Sequence, residues 1–105
     1  MSFTSVLSPR AISDLRIARD WYNQKKAGLG MEFLHEIKLY NAFIKKKPFA
    51  FQTRNNPPVR CAPLRRFPFM IHYLPVEELQ QIVILAVLHT SENPDNWPVE
   101  VPDIR

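Results

Sequence analysis

The sequence has only one cysteine, only two glycines and no long apolar run among its 105 residues. A single cysteine, Cys61, cannot form an intramolecular disulfide. The start of the chain, MSFTS, lacks the basic and apolar regions of a signal peptide. The longest apolar run, Ile82–Leu88, is far shorter than the roughly 20 residues that a transmembrane helix needs. These absences predict a cytoplasmic protein whose cysteine is a buried, unreactive thiol.

Motifs for cofactors and metals are also missing. No glycine-rich phosphate loop or dinucleotide fingerprint occurs. The histidines His35, His72 and His89 are too scattered, relative to Cys61, for the ligand spacing of a zinc site. We therefore expect no cofactor and no metal.

Acidic residues are absent from the middle of the chain, between Glu36 and Glu77. The end of the chain has the opposite balance, since Arg105 is the only basic residue after Glu77. This segregation predicts a surface for phosphates or for an acidic protein partner. A solvated basic face without a function is the alternative, and charge by itself does not decide between them. The basic residues of the middle segment are Lys38, Lys45, Lys46, Lys47, Arg54, Arg60, Arg65 and Arg66.

Hydrophobic periodicity predicts the order β-α-α-β-β-β. Ser8-Pro9 has the pattern of a helix start, with an N-cap hydroxyl followed by proline at the first helical position. The continuous apolar run Ile82–Leu88 is typical of a strand at the centre of a sheet. The predicted helices span residues 9–26 and 29–47, and the other predicted strands span 3–7, 59–64 and 67–74.

These elements predict an α+β fold in which a two-helix hairpin packs on a small, mainly antiparallel sheet. We expect a single domain over residues 1–97 and a C-terminal tail over residues 98–105. The Pro94–Trp97 spacing is that of one helical turn, so the Trp97 indole is expected to cover the end of the core.

The segment RRFPFMIHY at residues 65–73, a strand that ends at His89, and NPDNW at residues 93–97 follow the two helices. In this order they resemble the RelE/ParE superfamily of bacterial toxins, over residues 7–97. The resemblance implies the toxin of a type II toxin–antitoxin, or plasmid stabilisation, module that a cognate antitoxin neutralises. ParE-like members block DNA gyrase, whereas RelE-like members are similar to ribosome-dependent mRNA endoribonucleases.

Within this resemblance, the ribonuclease branch would use four residues without a metal ion. Arg60 and Arg66 would hold the phosphate, because the guanidinium fork matches two phosphate oxygens. His89 would act as general acid or base, unless it only hydrogen-bonds the following turn. His72 and Tyr73 alternate on one strand, so we expect one to face the core and the Tyr73 hydroxyl to face the basic surface.

Binding of a target, DNA gyrase or ribosome-bound mRNA, would use the basic residues more broadly. An edge-strand role that prevents aggregation is the alternative for Arg65. The candidate target-binding residues are Lys45, Lys46, Lys47, Arg54, Arg60, Arg65 and Arg66.

Two departures from the family pattern bear on the choice of branch. The middle of the chain has no carboxylate that could serve as the base of a ribonuclease. Ser91 and Glu92 stand where ParE-like sequences commonly have basic residues. The proline and tryptophan of the tail are more ParE-like, so we favour a gyrase inhibitor. An endoribonuclease, or a non-toxic member that retains only the fold, is the alternative, and the oligomeric state stays open.

Overall fold

The computed structural model describes residues 2–54 and 57–98, so the predicted tail beyond residue 98 lies outside the described residues. The order β-α-α-β-β-β is confirmed, and the ends of the elements lie within two residues of the predicted ends. Two 3₁₀ turns, Glu77–Leu79 and Pro94–Asn96, precede and follow the last strand. The helices and strands are β1 (Thr4–Leu7), α1 (Pro9–Lys25), α2 (Leu29–Lys46), β2 (Arg60–Pro63), β3 (Phe69–Val76) and β4 (Gln81–His89).

The four strands form one mixed sheet in the order β1-β4-β3-β2. β1 runs parallel to β4, and the β4-β3 and β3-β2 pairs are antiparallel. The predicted α+β architecture is confirmed, and β4 lies between two strands as its continuous apolar sequence predicted. The main core lies between the helix hairpin and one face of the sheet, where Phe33, Ile44 and Ile71 are completely buried.

The start of α1 has the predicted cap, and a glycine in the left-handed conformation precedes α2. The Ser8 hydroxyl caps α1 by accepting a hydrogen bond from the Ala11 N–H at 3.1 Å. Gly28 precedes α2 with a φ of +86°, a left-handed conformation that favours glycine. Gly30 lies inside the first turn of α2, where an added Cβ would be 2.4 Å from the Arg19 carbonyl oxygen. The second glycine therefore allows the two helices to approach closely.

β4 contains a β-bulge, and hydrogen bonds at and near this bulge join β4 to the start of α1. His72 pairs with Ala86 whereas Tyr73 pairs with Ile84, so Leu85 is an extra residue on β4. The Ser8 hydroxyl donates to the Leu85 carbonyl at 2.9 Å. Two residues further along β4, the Val87 N–H donates to the Asp14 carboxylate at 3.0 Å. The first turns of α1 thus satisfy backbone groups of the central strand.

A second apolar cluster lies on the other face of the sheet. Trp97 closes it with only 8% of its surface exposed, which confirms that this side chain covers part of the core. Its ring meets the His72 ring edge-on, with 4.9 Å between the centroids. The His72 Nδ1 lies 3.4 Å from the Cys61 sulfur. Burial raises the pKa of the Cys61 thiol, as expected for an unreactive cysteine.

Candidate functional site

A cleft with a volume of about 620 Å³ lies between α1 and the end of β4. We call it the β4-end cleft. Its floor and walls are mostly apolar, and its rim holds the polar groups Asp14, His89 and Glu92. The other lining residues are Ile17, Ala18, Trp21, Tyr22, Pro68, Phe69, Val87 and Leu88.

His89 lies at the rim of this cleft in a defined orientation. Its Nδ1 accepts the Ser91 N–H at 3.0 Å and contacts the Ser91 hydroxyl at 2.7 Å. Its ring packs edge-on against Phe69, with 5.3 Å between the centroids. Because Nδ1 is an acceptor, a neutral His89 has its proton on Nε2, where it can donate a hydrogen bond. The ring therefore holds the turn after β4, as one of the two interpretations of the sequence expected.

Two carboxylates share the rim with His89. Burial, and to a smaller extent the nearby charge of Glu92, raises the pKa of Asp14 against the lowering effects of the Val87 N–H and of Arg10. Glu92 Oε2 accepts a hydrogen bond from the Asn96 side chain at 2.8 Å. No lysine or arginine occurs among the described residues that line the cleft. The charged side chains that line the cleft are therefore acidic, and two cations lie beside it: Arg10 near Asp14, and Lys25, whose ammonium lies 4.8 Å from the centre of the Trp21 ring.

Arg60 lies at a different part of the sheet from His89. Its guanidinium donates to the Phe51 carbonyl at 2.7 Å and lies 5.0 Å from the centre of the Phe49 ring. Arg60 of β2 pairs with Tyr73 on one side of β3. His89 of β4 pairs with Phe69 on the other side of β3, and Phe69 lies four residues before Tyr73 along this strand. Four residues span about 13 Å of strand, and two strand spacings add about 10 Å across the sheet. The structure thus does not bring Arg60 and His89 to one phosphate.

The prediction that the Tyr73 hydroxyl faces the basic surface is wrong. Tyr73 is completely buried, and its hydroxyl donates to the Pro48 carbonyl at 2.9 Å. Burial raises its pKa to about 12. His72, on the opposite face of β3, is completely buried as well. Both faces of the strand are covered here, so neither side chain is presented to a substrate.

The turn between β2 and β3 holds Arg65 and Arg66, and α2 supplies acidic partners to it. Glu36 Oε2 accepts the backbone N–H groups of both arginines, each at 2.9 Å. Glu32 forms a 2.8 Å ion pair with the Arg66 guanidinium, and this hydrogen bond lowers the pKa of Glu32. The segment between Glu36 and Glu77 contains no acidic residue, but in the folded protein its arginines contact two glutamates of α2.

We expect Glu36→Ala to lower the free energy of unfolding by about 2 kcal/mol, because two N–H groups would lose a charged acceptor. Glu36 is only 6% exposed, so water replaces the carboxylate poorly. Chemical denaturation measures the change, and Glu32→Ala is the matched control, since its ion pair is exposed and should matter much less. Equal losses in the two variants would contradict the role of Glu36.

The remaining candidate basic residues lie in two places. Arg54 follows Thr53, which forms a bridge to Arg60, and its charge acts on Cys61 and His72 on the face of the sheet opposite the helices. Lys45, Lys46 and Lys47 end α2. Beside these lysines lies a cleft of about 330 Å³, here called the aromatic groove, in which Phe51 packs against the rings of α2. The predicted basic surface is therefore divided between this end of α2, Arg54 and the β2-β3 turn. The groove is lined by Leu39, Tyr40, Phe43 and Phe51.

Residues 2–54 and 57–98 include no group of three His, Cys, Asp or Glu side chains placed to hold a metal ion. None of the helices within these ranges is long and apolar enough to cross a membrane.

No protein-family model and no curated protein matches the sequence, whereas several solved structures match the fold. A chain of the chromosomal ParDE toxin–antitoxin system from P. aeruginosa is 18% identical, with a TM-score of 0.72 over 84% of this chain and 96% of that one. A RelBE toxin–antitoxin complex from Mycobacterium tuberculosis gives 17% identity and a TM-score of 0.63 over 85% and 99%. A mutant of the E. coli toxin RelE in the free state gives 15% identity and a TM-score of 0.63 over 87% and 86%.

The matches extend over nearly the whole chain and over nearly the whole of the matched chains. At these identities they establish the fold, which this chain shares with the matched ParDE and RelBE chains, as the resemblance of the sequence implied. A shared fold does not choose between the activities found on it.

Proposed function

We propose that this chain is the toxin of a type II toxin–antitoxin module and that a cognate antitoxin neutralises it. We further propose that it acts in the cytoplasm in the manner of ParE, by binding DNA gyrase, and not as an mRNA endoribonuclease. The fold supports the toxin role, because the matched structures include toxin–antitoxin systems of both the ParDE and the RelBE type.

The separation of the candidate catalytic groups favours binding over RNA cleavage. Cleavage without a metal requires a cation and an acid–base group at the same phosphate. Here Arg60 is bound to the Phe51 carbonyl, Arg66 is paired with Glu32, and the Tyr73 hydroxyl is buried. His89 lies in a cleft whose charged neighbours are carboxylates. Among the structural observations, this separation is the one that supports the ParE-like choice.

The aromatic groove and the adjacent basic residues suit a partner with apolar and acidic side chains. Leu39 is 58% and Phe43 48% exposed, and because they are four residues apart on α2 they form one apolar patch. The sequence from residue 37 to residue 76 has no carboxylate that would repel an acidic segment. We propose that an acidic, amphipathic segment of the antitoxin covers this surface and blocks access of the target.

A supercoiling assay with purified gyrase and purified chain tests the proposal. We expect inhibition of supercoiling, and we expect the double variant Lys46→Ala/Lys47→Ala to need at least about tenfold more protein, because long-range charge attraction promotes association. The variant Lys25→Ala/Lys26→Ala removes the same charge from the end of α1 and should inhibit like the wild type.

Absence of inhibition at saturating protein would reject gyrase as the target. Cleavage of ribosome-bound mRNA in a translation assay would instead support the endoribonuclease alternative. In that case Arg60→Ala should reduce cleavage on the order of 100-fold, as the loss of a transition-state donor does. Activity in neither assay would support a member that retains only the fold.

A further inference from the structure

The β4-end cleft differs in charge from the rest of this basic molecule. Its charged groups among the described residues are Asp14 and Glu92, and its wall includes two exposed apolar side chains of α1. Ile17 is 68% and Trp21 53% exposed. A volume of about 620 Å³ is enough for several side chains of a partner. The cleft thus combines an apolar contact surface with an acidic rim.

We propose that the β4-end cleft binds an amphipathic segment of a partner protein through one arginine or lysine side chain. The cation lies between the carboxylates of Asp14 and Glu92, and apolar neighbours in the segment cover Ile17 and Trp21. The identification of this partner as the antitoxin rests on the proposed function, whereas the charge and shape of the cleft do not depend on it.

The hydrogen bonds at the rim explain why a cation fits. Asp14 uses Oδ2 for the Val87 N–H, and Glu92 uses Oε2 for the Asn96 amide. Among the described contacts, one oxygen of each carboxylate stays available. Arg10 is engaged with the Asn96 carbonyl at 2.7 Å. A guanidinium has five donors in a planar fork, so it can bridge two carboxylates and also pack on an indole ring.

Charge also excludes other occupants. A phosphate or an acidic segment would meet the two carboxylates that line the cleft, which costs binding energy. Arg10 and Lys25 lie beside the cleft, but Arg10 is bound to the Asn96 carbonyl and the Lys25 ammonium lies 4.8 Å from the centre of the Trp21 ring. Glu92 is therefore a specificity-determining residue of the cleft, because its carboxylate favours a cationic side chain of the partner over an anionic one.

Three fluorescein-labelled probes test this inference by anisotropy with the full chain. They are a 12-residue amphipathic peptide with leucines at helical spacing and one central arginine, the same peptide with glutamate in place of arginine, and a 12-nucleotide RNA. We expect the arginine peptide to bind at least about tenfold more tightly than the glutamate peptide, which corresponds to one partly desolvated charge pair.

The variants Glu92→Gln and Trp21→Ala should each weaken binding of the arginine peptide at least about fivefold, because each removes one half of the proposed contact. The matched controls Glu78→Gln and Leu79→Ala change a glutamate and a large exposed apolar residue outside both proposed binding surfaces and should leave the affinity unchanged. Circular dichroism on each variant verifies that the fold is retained.

Equal affinity for the two peptides, tighter binding of the glutamate peptide or the RNA, unchanged affinity in Glu92→Gln, or no binding of any probe would overturn the inference. Growth after induced expression, measured separately, tests the proposed function. A chain that arrests growth but does not prefer the arginine peptide contradicts only this inference. A chain that prefers the arginine peptide but does not arrest growth contradicts only the proposed function.

Discussion

Trp97→Ala is expected to lower the free energy of unfolding by about 4 kcal/mol, as other tryptophan truncations in cores do. The indole is only 8% exposed and packs on the His72 ring and on a cluster that includes Met70 and Leu88. Its removal would uncover the face of the sheet that lies opposite the helices. Urea denaturation measures the loss.

Trp21→Ala is the matched control for this prediction, because the Trp21 indole lies at the surface of α1 and is 53% exposed. We expect it to change stability by less than about 1 kcal/mol, as is usual for exposed positions. Similar losses in the two variants, or a stable Trp97→Ala protein, would show that Trp97 does not close the core.

Acid should destabilise the protein through His72. Burial, followed by the charges of Arg10 and Arg54, lowers the pKa of His72 from 6.5 to about 4. Between these two pH values the unfolded chain binds a proton at His72 and the folded chain does not, so stability falls as the pH falls. The expected loss between pH 6.5 and pH 4 is about 2 to 3 kcal/mol.

The variant His72→Leu removes this titration and should have a clearly flatter stability profile over the same range. His35→Gln is the control, because His35 is exposed and its replacement should leave the profile unchanged. Denaturation curves at half-unit pH intervals measure the difference. An equal slope in His72→Leu and in the wild type would exclude His72 as the source of acid sensitivity.

Features that depend on neighbouring residues could be predicted from the sequence. The start of α1 at Ser8-Pro9 could be predicted because the cap and its N–H partner are only three residues apart. The central position of β4 followed from its continuous apolar sequence, since only a strand covered on both faces buries every side chain. The fold was predictable because these local signals agree with one another.

The arrangement of the site depends on contacts that are distant in sequence. Asp14 meets Val87 across 73 residues, and Glu36 meets Arg65 across 29 residues, so no spacing rule relates these partners. The separation of Arg60 from His89 follows from strand register, which the sequence pattern did not specify. The Tyr73 hydroxyl was misassigned because its acceptor, the Pro48 carbonyl, lies in a loop whose path depends on the whole fold.

The most direct test of the toxin role is the rate of DNA synthesis and of protein synthesis after induced expression of the chain without a neighbouring antitoxin gene. Incorporation of labelled thymidine and labelled methionine, sampled each minute, gives both rates in one culture. The ParE-like account predicts that DNA synthesis stops first and that growth then arrests. A prior stop in protein synthesis, or unchanged growth with the protein present in soluble form, would contradict it.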